Sequence, residues 1–169
     1  MKEKFRWLAA VIAAHPDHRV IGRTRLQKTV KLLQRLGAPL DYDYMIHFYG
    51  PYSDAVQADI GLLENLGLVT EKPRTKNDGS PYFILEAGAE AIKFARSSMM
   101  RPYRKAIQLM GQTDATVLEL AATYDAFREM GNDHRTALAR LRRKKGTKCE
   151  DGRDKKALAL LKQLNLMAA

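Results

Sequence analysis

The side chains best suited to chemistry in this chain are cations. Arg142-Arg-Lys-Lys145 is a continuous run, and ten Lys and Arg between Arg135 and Lys156, Lys148 among them, stand against Glu150, Asp151 and Asp154 alone. A second set, Arg23, Arg25, Lys28, Lys31 and Arg35, lies on or near a helical stretch. A third, Lys72, Arg74 and Lys76, adjoins the turn signal Asp78-Gly79. Clusters of this kind grip a phosphate backbone without reading bases. Their plain alternative is a solvated helix end, where cations complement the helix dipole. Lys and Arg total 29 against 19 Asp and Glu, a net charge of +10 that attracts polyanions.

The opposite sign is segregated. No Lys or Arg occurs between Arg35 and Lys72, whereas Asp41, Asp43, Asp54, Asp59, Glu64 and Glu71 all fall there. A helix in a DNA major groove lies between rows of phosphates, so Asp54, Asp59 and Glu64 would oppose binding. Tyr49, Tyr52, Asp54, Gln57, Asp59 and Glu64 are therefore candidates for a protein-facing surface. The turn Tyr49-Gly-Pro-Tyr-Ser53 reads first as a device that fixes the angle between a strand and a helix, with Gly50 bending, Pro51 opening the helix and Ser53 capping it. Gln27 and Lys28 read either as ligand-facing or as part of a solvated helix face.

Other chemistry is not indicated. His15-Pro-Asp-His18 has two metal-ligand types but no third partner nearby, and reads as a surface turn. His47 reads as a core or boundary histidine, and Trp7 and Tyr124 as core aromatics. Cys149 is the single cysteine, which excludes an internal disulfide and fits a reducing cytoplasm. With no base or oxyanion site beside it, Cys149 is not assigned as a nucleophile. No Gly-rich phosphate loop, Ser-His-Asp order or HExxH motif is present. No catalytic residue, metal or cofactor is expected, and no apolar run approaches the roughly 18 residues of a membrane span.

These residues need elements to hold them. Apolar periodicity predicts helices over 2–14, 24–36, 54–66, 87–99, 102–110, 117–130, 133–145 and 154–167. A short strand is expected over 44–49, broken by Gly50-Pro51. Two more are expected over 68–71 and 82–85, joined by a basic loop over 72–81. The fold class is mainly α with a small β-hairpin. The order helix, helix, strand, helix, hairpin, helix is that of a winged helix-turn-helix over 1–100, followed by a C-terminal helical extension over 101–169.

Arg23-Thr-Arg-Leu-Gln-Lys28 with Lys31-Leu-Leu33 resembles the Leu-Gln-Lys helix of the Panacea antitoxin domain and of the YwgA-like bacterial and archaeal proteins. His47-Phe-Tyr-Gly-Pro-Tyr-Ser53 resembles the Tyr-Gly-Pro-Tyr-Ser segment of the YwgA-like group. Leu66-Gly-Leu68, Leu118-Glu-Leu-Ala-Ala-Thr-Tyr124 and Ala157-Leu-Ala-Leu-Leu161 add to the likeness. The resemblance implies a winged-helix-like fold. Panacea-type domains are associated with toxin neutralisation, and one relative is a proteolytic adaptor for its toxin. No catalytic residue is implied.

Two functions are expected to compete. In the first, the chain binds duplex DNA as a regulator or accessory factor, gripping it through Arg23, Arg25, Lys28, Lys31, Lys72, Arg74, Lys76, Arg142, Arg143, Lys144, Lys145 and Lys148. The alternative is an antitoxin-like or adaptor module that binds a protein, toxin-like or protease-linked, on the same scaffold. The C-terminal helices could serve a homodimer. An enzyme and a membrane protein are not expected.

Overall fold

Helix α1, Glu3–Ala14, is enclosed rather than amphipathic: Trp7 through Ala14 are all buried. The computed structural model describes residues 1–168. Pro16 stops α1 by holding His15 in an extended conformation, and a single 3-10 turn leads into β1, Arg19–Ile21. Helix α2, Arg23–Arg35, starts at Gly22, whose φ of 95° suits glycine. Its inner face buries Leu26, Val30, Leu32 and Leu33.

Strands β2, Met45–His47, and β3, Gly50–Tyr52, form a short antiparallel hairpin in which Ile46 faces Pro51. This corrects the expectation that Gly50-Pro51 ends a strand and opens a helix. Phe48 and Tyr49 make the turn, Gly50 at φ 86° opens β3 opposite His47, and Pro51 and Tyr52 continue as strand. Helix α3, Asp54–Asn65, follows with Val56, Ile60 and Leu63 inward. Ser53 occupies its N-cap position but makes no side-chain capping bond.

Strands β4, Val69–Thr75, and β5, Pro81–Ala87, pair along their whole length, from Val69 opposite Ala87 to Thr75 opposite Pro81. The basic loop is therefore shorter than expected, since Lys72 and Arg74 belong to β4. Pro73 is tolerated because β4 is an edge strand. Strand β1 adds to the other side of β5, giving the order β1-β5-β4. Three residues without periodicity gave no sequence signal for it.

Helices α4, Ala89–Arg96, and α5, Arg104–Gln112, pack on α1. Helix α6, Ala115–Glu129, is capped by the Asp114 carboxylate, which accepts from the amides of Thr116 and Val117. It packs against α2, β3, α7 (His134–Lys145) and α8 (Arg153–Gln163). One buried apolar cluster extends from Trp7 to Leu164, with Trp7 edge-on to Tyr103 at 5.6 Å. The architecture is mainly α with small antiparallel sheets.

Candidate functional site

The two segments Leu26-Gln-Lys28 and His47–Ser53 come together. Gln27 Nε2 donates to the carbonyl of Ser53 at 2.9 Å, and Gln27 Oε1 accepts from the Ser53 amide at 2.9 Å. Lys28 Nζ donates to the carbonyl of Pro51 at 2.7 Å, and Tyr44 Oη donates to the carbonyl of Gln27 at 3.1 Å. Gln27 and Lys28 are each 1% exposed, which corrects their expected place on a ligand-facing or solvated surface. Removal from water pulls the Lys28 ammonium down to about 8, with Glu119 opposing the shift and Lys145 and Lys148 reinforcing it. On the far side of the hairpin Gly50 lies against α6, where a Cβ would collide with Thr123 Oγ1.

A third anchor comes from the C-terminal half. Lys145 Nζ donates to the carbonyl of Phe48 at 2.7 Å and to Glu119 Oε1 at 2.6 Å. Lys148 Nζ donates to both oxygens of the same carboxylate and lies 4.8 Å from the centre of the Tyr49 ring. Lys145 and Glu119 are both buried, and desolvation lowers the Lys145 pKa against the pull of Glu119.

This buried polar scaffold holds an apolar tip in solvent. Phe48 is 90% exposed, Met45 70% and Tyr49 63%. Beside the tip lies a cavity of about 350 Å³ where Arg23, Thr24, His47, Tyr52 and Gln57 meet Phe48 and Tyr49. His47 is exposed, not a core residue; its ring tilts over Tyr52 at 5.3 Å. Phe48 and Met45 were not singled out from the sequence, although the aromatic pair before Gly50-Pro51 was a usable signal.

The candidate cations divide into three groups. Ion pairs occupy Arg23 with Glu71, Lys31 with Glu129, Lys72 with Glu86 and Arg142 with Asp154, as well as Lys145 and Lys148 with Glu119. Backbone carbonyls occupy Lys28, and also Arg25, which donates to Met110 and Thr113 at 2.8 and 2.6 Å and so closes the end of α5. Among the described residues, Arg74, Lys76, Arg143 and Lys144 have no carboxylate within ion-pair distance. Lys28, Lys31 and Lys145 are buried rather than presented to a phosphate.

The acidic candidates divide likewise. Tyr49, Tyr52 and Gln57 meet at the tip, and Asp54 is exposed at the start of α3. Asp59 instead accepts from Tyr42 Oη at 2.8 Å and pairs with Lys4, and Glu64 accepts from the amide of Glu71. His15 is buried rather than in a surface turn: its Nδ1 bonds the carbonyl of Val11 at 2.8 Å. No group of three or more His, Cys, Asp or Glu among the described residues is placed to hold a metal. No helix among them is long and apolar enough to cross a membrane.

No family model matches the chain. Over 108 residues it is 32% identical to "Uncharacterized protein YwgA" of Bacillus subtilis (strain 168). The aligned region covers 62% of this chain and 63% of that protein, so the chain spans less than two thirds of its relative's length.

Proposed function

We propose that this chain is a non-catalytic protein-interaction module that docks through the tip of the β2–β3 hairpin onto an acidic protein. One observation carries the proposal: an almost wholly exposed Phe48 on a hairpin fixed by buried side chains from α2 and α7 and packed against α6. Burying Gln27, Lys28 and Lys145 costs desolvation that apolar residues would avoid. Such an arrangement suits a tip whose geometry must be set before its partner arrives, because preorganisation reduces the entropy lost on binding. Arg23 and Lys148 flank the aromatics; each is paired internally, with Glu71 and Glu119, but keeps more than a third of its side chain exposed, so the complementary surface is an apolar pocket with Asp or Glu at its rim. The Panacea-like resemblance agrees with this, since it joins a winged-helix scaffold to a toxin-like or protease-linked partner.

A photo-crosslinker at position 48, in the native cell, should capture one acidic protein that a crosslinker at the remote position 90 does not. With the purified pair, Phe48→Ser should weaken binding on the order of 100-fold, as for a hot-spot aromatic, and leave the melting temperature unchanged. A pair indifferent to Phe48→Ser would overturn the proposal. Arg74, Lys76, Arg143 and Lys144, without carboxylate partners among the described residues, favour duplex DNA as a second reading. It predicts instead a DNA affinity that falls steeply with salt and depends on those four residues.

A further inference from the structure

A larger cleft, of about 700 Å³, lies between the β2–β3 tip and the β4–β5 loop. Its volume falls in the range of small-molecule sites. Tyr49, Tyr82 and Phe83 supply aromatic walls, and Arg23, Lys76 and Lys148 supply positive charge. Among the described residues Glu119 is the one carboxylate lining it, and its oxygens are already taken by Lys145 and Lys148. The Arg23 guanidinium is fixed over the Phe83 ring at 3.6 Å and paired with Glu71, so it offers a rigid planar surface rather than a mobile charge. Lys76, at the loop, has no carboxylate partner among the described residues.

Cations alone would suit any anion. Aromatic and guanidinium planes in the same cleft select an anion that also carries a flat ring, because bases stack on such planes while phosphates take the lysines. We propose that this cleft binds a nucleoside phosphate, with the base against Tyr49 and Tyr82 and the phosphate at Lys76 and Lys148. The ligand is either a free nucleotide or one unit of a single strand, since both present the same base and phosphate. The cleft departs from major-groove reading of duplex DNA, in which bases stay stacked and present only their edges. It shares Arg23, Tyr49 and Lys148 with the docking surface, but Lys76 and Tyr82 lie outside the hairpin tip and so report on the cleft alone.

Calorimetric titration of the full chain with ADP, adenosine, pyrophosphate and an eight-nucleotide oligo(dA) tests this. Binding of ADP, weakened about tenfold by Lys76→Gln, is expected, as for loss of a charge-assisted contact. Tyr82→Ala should weaken ADP and leave pyrophosphate unaffected, which separates stacking from charge. Tight binding of the oligonucleotide with the same two dependences, and none of ADP, would support the site and assign the nucleotide to a strand. Lys76 is on an exposed loop, so its variant reports on the site without a folding defect. Failure of both ADP and oligonucleotide to bind at millimolar concentration would overturn the proposal. So would binding indifferent to both substitutions. Neither result would bear on capture of a protein through Phe48.

Discussion

His15 is a single imidazole whose environment dictates a pH response. It is 2% exposed, and its pKa falls to about 4, chiefly through desolvation and also through repulsion from Arg25, against the stabilising bond to Val11. Between pH 6.5 and 4 the unfolded chain takes up a proton that the folded chain refuses, so stability is lost as pH falls through that window. The loss should reach roughly 3 kcal/mol for a shift of this size. Denaturant midpoints measured at pH 7 and pH 4.5 should differ, and His15→Gln should remove much of the difference. The same enclosure explains why His15 was misread from the sequence. A histidine before a proline looks like a surface turn, and only the tertiary packing of α1 against α5 and the 3-10 turn buries it. Lys28 and Gln27 were misread for the same reason, because a long polar side chain reveals its partner only when the β2–β3 carbonyls arrive opposite it.

At the scale of elements, the β2–β3 hairpin is set by Gly50 and Gln27 more than by its own two short strands. Gly50→Ala must adopt φ 86° and displace Thr123, which should cost on the order of 1–3 kcal/mol for the strained backbone, plus any repacking. A thermal melt reports the loss, and exchange of the Gly50, Tyr52 and Ser53 amides should accelerate more than exchange in α6. The helices were legible because their apolar period is long: α2, α3, α6, α7 and α8 lie within a few residues of the expected spans. The long hairpin was legible from Asp78-Gly79, though its ladder extends farther than the aromatic runs suggested. The short hairpin was not, because Gly-Pro followed by Tyr-Ser-Asp matches a helix start locally. Pairing of Ile46 with Pro51 depends on contacts from α2 and α6 that no local pattern contains.

For the whole molecule, the 29 Lys and Arg overstate the cations free to meet a partner, because many are held in ion pairs or on backbone carbonyls, while the excess of +10 survives that pairing since each ion pair also uses a carboxylate. Glu119 shows the point most clearly, as the common acceptor of Lys145 and Lys148. Glu119→Ala leaves Lys145 buried without its counter-ion and should cost about 3–5 kcal/mol, measured by chemical denaturation. Glu119→Gln should recover part of that by still accepting a hydrogen bond. The carboxylate lies on α6, one of its lysines on α7 and the other just beyond, and the carbonyl that Lys145 also holds belongs to the hairpin tip. A shortened version ending after α6 would therefore be no simple subset of this protein. It would leave the Glu119 carboxylate without its cations and release the loop that α7 steadies, so trimming from the far end should loosen the Phe48 turn, 97 residues before Lys145.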